Sequence, residues 1–365
     1  VAEAGHGLSA FAPRFAARIP AMPIRIDHPR RHALRALSAL LLPGGAMRAF
    51  AAPQLDPADP SQAAAECIIP AKAGGGFALT CALARDALQA VRPARAPLAQ
   101  RFLPGGIGAL AFDRIATGRL GGPGTLVAFS SGSLLNLAQG RFGPHPTSAV
   151  RWVAALGTDY GVVVVHRDSP WRSLRELMAA LRQSPSRIVF GAGGTVGSQD
   201  WVKAALLVRA AGGDHRAMRF VSFEGGGDAL GALQGRHVDV FAGDAAEALQ
   251  AMAGGTAVRL LAVLSEARLG GALAGVPTAR EQGVDLVWPT VRGLYISADV
   301  PDAALRAWTT AFEEAMAAPG YAALRERHGL YPFALTGAAL DAYVRERIQA
   351  YRQQAEALGL RRWNP

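Results

Sequence analysis

Along most of the chain, short apolar runs give way to glycine-rich turns and then to stretches whose apolar residues recur at helical spacing. Cys67-Ile68-Ile69 leads into Gly74-Gly75-Gly76 and predicts a helix over residues 77–90. Residues 125–129 lead into Ser130-Ser131-Gly132, and the valine-rich residues 161–165 predict a central strand. That strand ends at His166-Arg167-Asp168-Ser169-Pro170, where the chain is expected to cross between lobes, with Ser169 or Ser173 capping the helix that follows. Residues 187–190 enter the glycine-rich stretch 191–198 and open a helix over 199–211. Residues 220–223 enter Glu224-Gly225-Gly226-Gly227-Asp228 and a helix over 229–234, and residues 238–241 meet Ala242-Gly243-Asp244. The run 258–264 then returns the chain to the first lobe, which residues 293–296 and two amphipathic helices over 302–318 and 337–357 complete.

Strand, turn and helix in repeated alternation predict an α/β protein with mainly parallel sheets flanked by helices. The length suits two lobes, expected over residues 66–166 plus 265–365 and over 167–264. The turns carry the chemistry. N–H groups left unpaired at a helix start, with the positive end of the helix dipole behind them, bind anions. In open α/β sheets the ligand crevice lies at the carboxyl ends of the strands, where these turns fall. A carboxylate can be held there by backbone N–H and hydroxyl groups without an arginine clamp.

Charge modifies this picture only at one end. The formal charge is +10, and residues 1–51 supply half of it, with seven arginines against Glu3 and Asp27. No dense basic stripe interleaved with aromatics follows, so nucleic acid is not an expected partner. Arg30-Arg31-His32, the apolar run 33–42 and the small-residue site Ala49-Phe50-Ala51 have the order of a signal peptide, with cleavage expected after Ala51. The paired arginines leave the Sec and twin-arginine routes both open. An exported, periplasmic monomer is the expectation for the rest. The two cysteines, Cys67 and Cys81, permit a disulfide around the first glycine cluster, or stand as two buried thiols. No His or Cys cluster offers a metal site, and no cofactor is expected.

The order of these motifs resembles the substrate-binding proteins of tripartite tricarboxylate transporters, the TctC or Bug-type receptors. Pro70-Ala71-Lys72-Ala73-Gly74-Gly75-Gly76 is similar to the family's first turn, and Pro104-Gly105-Gly106-Ile107-Gly108 to its Pro-Gly-x-x-Gly element. Further likeness lies in residues 191–198, Phe223-Glu224-Gly225, residues 232–239, Val276-Pro277-Thr278-Ala279-Arg280-Glu281-Gln282-Gly283, and Trp288 with Gly293-Leu294-Tyr295. The resemblance implies a two-lobed periplasmic-binding-protein fold of type II that closes over a small organic acid, a di- or tricarboxylate, and passes it to membrane permease subunits. Carried over residue by residue, it implies ligand contacts at Gly75, Gly76 and Phe77, at Ser130 and Ser131, at Gly194, Thr195 and Ser198, and at Glu224, Gly225 and Asp244. Two departures stand out: Ala78 replaces a common acidic residue, disfavouring an amino-acid ligand, and Glu224 replaces a common lysine.

The bland alternatives are tight turns for the glycines, helix caps for the serines and Asp244, and core aromatics for Trp288 and Tyr295. The rival class is an exported α/β hydrolase-like enzyme acting on small carboxylic esters. It would need Gly-x-Ser-x-Gly, which is absent. A dinucleotide site is disfavoured because Gly191, Gly193 and Gly197 miss the Gly-x-Gly-x-x-Gly spacing.

Overall fold

The computed structural model of the protein describes residues 65–93 and 96–360. The expected export label over residues 1–51 lies outside them. The described chain begins β1 (Glu66–Ile69), α1 (Gly76–Val91), β2 (Ala99–Phe102), α2 (Ala109–Ala116), β3 (Thr125–Ser130), α3 (Ser131–Ala138) and β4 (Val150–Tyr160). It continues β5 (Val162–His166), α4 (Leu174–Gln183), β6 (Val189–Gly193), α5 (Gln199–Ala210), β7 (Arg219–Phe223), α6 (Gly226–Gln234), β8 (Val240–Phe241), α7 (Ala245–Ala253) and β9 (Val258–Val263). It closes with β10 (Pro289–Ser297), α8 (Asp302–Ala317), α9 (Tyr321–Arg327), β11 (Leu335–Thr336) and α10 (Gly337–Ala357).

The strands form two sheets, in the orders β11-β4-β10-β3-β1-β2 and β7-β6-β8-β5-β9. Each has a parallel part where strand, turn and helix alternate: β2, β1 and β3 in one, β7, β6 and β8 in the other. Both sheets are nevertheless mixed. The strands beside the two crossings enter against that direction, β10 antiparallel to β3 and β4, and β5 antiparallel to β8 and β9. The central strands are buried throughout, as β3 shows, which explains their unbroken apolar sequence.

Sheet membership changes at Gly161. β4 belongs to the first sheet and β5, four residues of which are fully buried valines, to the second, so the change precedes the turn at residues 166–170. Residues 258–264, expected as the last stretch of the second lobe on the way back to the first, supply β9, an edge strand of the second sheet paired to β5. The two crossing segments meet at Gly161. Its N–H donates to Trp288 O (2.9 Å), its carbonyl accepts from Leu264 N (2.7 Å), and Trp288 N donates to Leu264 O (2.8 Å). A Cβ at Gly161 would press on the Leu264 side chain and the Lys203 stem, each 2.9 Å away, so any larger residue would have to displace both buried side chains.

On one face of the first sheet, Phe129, Trp152 and Tyr295 pack edge to face, with centroids 4.8 and 5.8 Å apart. On the other, Cys67 of β1 and Cys81 of α1 are joined as a disulfide, with Cα atoms 5.8 Å apart. Of the two readings left open by the sequence, the structure has the bonded one.

Candidate functional site

Five strand ends point at one place between the sheets. The turns after β1 and β3 come from the first sheet, and those after β6, β7 and β8 from the second. Together they line a cavity of about 50 Å³, room for a few water molecules. Its walls include Gly75, Gly76 and Phe77, Ser130 and Gly132, Ser198, Gln199 and Asp200, Gly225 and Gly226, Asp244 and Glu247, and Arg292 of β10. A wider cavity of about 430 Å³ adjoins it, sharing Ile107, Asn136 and Ser198 and adding Arg141, Gly194, Thr195 and Glu224.

The five helix starts divide into two kinds. Three are capped by side chains, α7 with the help of Asp159 of β4, whose Oδ1 accepts from Ala246 N (3.1 Å). Ser130 Oγ accepts from Gly132 N (3.2 Å) and Ser133 Oγ from Ser130 N (3.2 Å) at α3; Ser198 Oγ accepts from Trp201 N (3.4 Å) at α5; Glu247 Oε1 accepts from Asp244 N (3.1 Å) at α7. The other two, α1 and α6, start from Gly75 and Gly225 and have no side-chain cap. One belongs to each sheet, and they face each other. A Cβ on Gly227 would stand 3.0 Å from the carbonyl oxygen of Ala73, and one on Gly76 would collide with the Arg292 guanidinium. Close approach favours glycine at both positions.

Beneath the turns lies a buried group of charges. Arg292 Nη2 donates to Asp159 Oδ2 (3.0 Å) and to Asp244 Oδ2 (2.8 Å). Lys203 Nζ, on α5, donates to Asp244 Oδ1 (2.8 Å) and Gly243 O (2.6 Å), and lies 3.1 Å from Asp200 Oδ1. Gln199 Nε2 and Thr290 Oγ1 also donate to Asp244, at 2.7 and 3.1 Å. Burial works against ionisation throughout. It raises the Asp159 carboxyl to about 6, with the Asp244 charge adding to it and Arg292 opposing. Glu247 is raised further, to about 8, by burial and then by Asp244 and Asp200. Burial also pushes Asp244 upward, yet the Lys203 and Arg292 charges outweigh it and hold Asp244 below its ordinary value. Arg292 Nε and Gln199 Oε1 are buried beside the cavity without hydrogen-bond partners.

Gly75, Gly76, Phe77, Ser130, Ser198, Gly225 and Asp244 therefore come together around the inner cavity. Gly194, Thr195 and Glu224 line the adjoining one, where Thr195 Oγ1 accepts from Arg141 Nη1 (2.8 Å). Ser131 does not line either: its hydroxyl accepts from Val291 N (2.9 Å) and ties α3 to β10. The oxygens of Asp244 are engaged by Arg292, Lys203, Gln199 and Thr290. Sequence reasoning missed Arg292, Asp159, Lys203, Asp200 and Glu247. A signal existed for two of them: Arg292 and Asp159 are isolated charges inside long apolar strands, where burial demands an opposite charge.

The sequence model described as "Tripartite tricarboxylate transporter family receptor" matches residues 125–360. The chain belongs to that family. It is a family of receptors, not of enzymes, and the ester-hydrolase alternative falls with that. Among curated proteins the receptor is 24% identical over 218 residues to the UPF0065 protein in gbd 5′region of Cupriavidus necator; the match covers 59% of this chain and 64% of that one. Among solved structures, the periplasmic binding protein BugD superposes with TM-score 0.72 at 16% identity, over 81% of this chain and 98% of that one. MatC from Rhodopseudomonas palustris, with bound malate, superposes with TM-score 0.66 at 21% identity, over 80% and 98%. An R. palustris protein with adipate superposes with TM-score 0.71 at 18% identity, over 81% and 97%. These likenesses carry the fold, that of periplasmic binding proteins.

Proposed function

We propose that the receptor captures a small organic carboxylate between its two lobes, in the periplasm, and presents it to membrane permease subunits of a tripartite transporter. The observation that supports this most is the pair of glycine-started helices, α1 and α6, one from each sheet, meeting without side-chain caps at a shared cavity. A carboxylate placed between them accepts N–H groups from both lobes at once, with the dipoles of both helices behind it. The partnerless Nε of Arg292 adds a cationic donor. Malate and adipate, held by two proteins of the same fold, are the natural first probes.

The lobes are proposed to divide at Gly161 and within residues 264–288, so that the knot of Gly161, Leu264 and Trp288 is the hinge. Lobe-spanning contacts would then form on closure: Gln139 Nε2 to Gly197 O (2.8 Å), Arg141 to Thr195, Lys72 to Asp228 (3.3 Å) and Arg292 to Asp244. Affinity would come from interactions made only in the closed form. The test is thermal unfolding against malate, succinate, adipate, citrate, aromatic acids and amino acids. A rise in Tm that scales with the concentration of one acid supports the reading, and small-angle scattering should show compaction with that acid. No shift for any acid, or binding with no compaction, counts against it.

A further inference from the structure

Six ionisable side chains are buried together behind the cavity: Asp159 of β4, Asp200 and Lys203 of α5, Asp244 and Glu247 at the start of α7, and Arg292 of β10. Four carboxyl groups against two cations leave two negative charges unbalanced when all are ionised, beside a cavity that is to receive another anion. A low-dielectric site removes such an excess by holding a proton. The ion pairs say which carboxyl holds it. Asp159 and Asp244 pair with Arg292, and Asp200 and Asp244 with Lys203. Glu247, 5% exposed, has no cation within ion-pair distance among the described residues.

Its position suits a donor. Oε1 already accepts the Asp244 N–H, so the acidic proton belongs on Oε2. Oε2 is the atom nearest the Cβ position of Gly75, at 3.8 Å, and the carboxyl abuts Gly226 at the start of α6. Glu247 thus stands at the junction of the two uncapped helix starts, in the wall of the cavity. We propose that Glu247 is a specificity-determining residue that works as a neutral carboxylic acid, donating its Oε2 proton in a hydrogen bond to the bound carboxylate, so that capture of the anion takes up one proton from solvent. The proposal rests on the carboxylate-receptor reading. Burial and the facing charges of Asp244 and Asp200 agree with it by raising the carboxyl to about 8, against the opposing field of Arg292. Of the other charged groups nearby, Lys72 and Asp228 pair with each other at the exposed rim, and Glu224 and Arg141 line the neighbouring cavity, where Arg141 donates to Thr195.

In an open cleft a hydrated Glu247 ionises in the ordinary carboxylate range, so closure at neutral pH brings a proton on, and affinity falls as pH rises towards 8. Asp159, raised to about 6, is already ionised over the upper part of that window. The experiment is calorimetric titration of malate, adipate and the other acids of the panel into wild type and E247Q from pH 6.5 to 9, in two buffers of different ionisation enthalpy. The expected wild-type result is uptake of close to one proton and an affinity loss of about tenfold from pH 6.5 to 7.5, levelling above 8. In E247Q, whose amide donates at every pH, the profile is flat. Binding with a flat wild-type profile, an affinity that rises with pH, or an E247Q profile as steep as wild type overturns the proton-donor role and leaves the receptor reading intact. No binding at any pH overturns both. Should E247Q fail to fold, the two-buffer proton count on wild type decides alone.

Discussion

Arg292 ties the first sheet to the second. It crosses the cavity floor from β10 to reach Asp159 in its own sheet and Asp244 at the start of α7. Removing it leaves the buried Asp159 carboxylate without a cation, while Asp244 keeps Lys203, and losing one partner of a buried pair costs about 3–5 kcal/mol. Arg292→Met is therefore expected to lower the urea midpoint at pH 7 by that much free energy, with partial recovery at pH 5 as Asp159 takes up a proton. An equal loss at both pH values would mean that packing, not charge, is responsible. Gly76 is the companion case. Its missing side chain leaves room for the same guanidinium, so Gly76→Ala should cost about 1–3 kcal/mol by displacing Arg292. It should also weaken capture of any acid that shifts Tm, whereas Gly231→Ala, in the middle of α6 with open space around it, should not.

At the scale of elements, most expected strands and helices lie where apolar periodicity and turn residues put them. α10 has its expected bounds, Gly337–Ala357, and α1 extends one residue beyond expectation at each end. α2 and α9 were not foreseen, and α3 and α7 were expected to start at their caps without a stated extent; all four are short, at seven to nine residues, too brief to establish a period. The disulfide between β1 and α1 closes a loop with a sequence separation of 14 and holds the first glycine turn against its strand. Replacing both cysteines with serine should lower stability by about 2–4 kcal/mol. Chemical denaturation of oxidised and reduced wild type provides the comparison, and no difference between the two would show that the bond does not restrain the turn.

For the whole molecule, the buried charge group sets how stability varies with pH. In the closed form Glu247 and Asp159 are raised, to about 8 and about 6, above their ordinary values of 4.5 and 3.8. The folded state binds protons there that the unfolded state does not, so their contribution is complete at low pH and is lost as pH rises through the folded values. Exposed or half-exposed acids work the other way. Glu66, held down by Arg101, and Asp86, which burial pushes up but Arg85 and His328 lower further, stabilise above the ordinary carboxylate range and lose that contribution in acid. With the cleft held closed by a saturating acid, stability should therefore peak on the acid side of neutrality and decline towards pH 8, as read from urea midpoints between pH 4 and 9. In E247Q the decline should be shallower. A wild-type optimum above pH 8 would contradict the buried arrangement.

By itself the sequence determined the α/β alternation, because apolar runs of strand length, glycine turns and helical periods are local properties that neighbours in the chain specify. It also determined that the turns would gather at the carboxyl ends of the strands, and Gly75, Gly76, Phe77, Ser130, Ser198, Gly225 and Asp244 do meet there. The caps of α3 and α5 were legible too, since each is a contact within three residues, but tertiary structure alone decided that the two glycine starts of α1 and α6 would face each other. It also decided that β5 joins the second sheet and not the first. The charged floor of the site was its decision too. Asp159, Lys203, Asp244 and Arg292 come from four separate elements, and a buried ion pair is a relation between distant residues that no local pattern encodes.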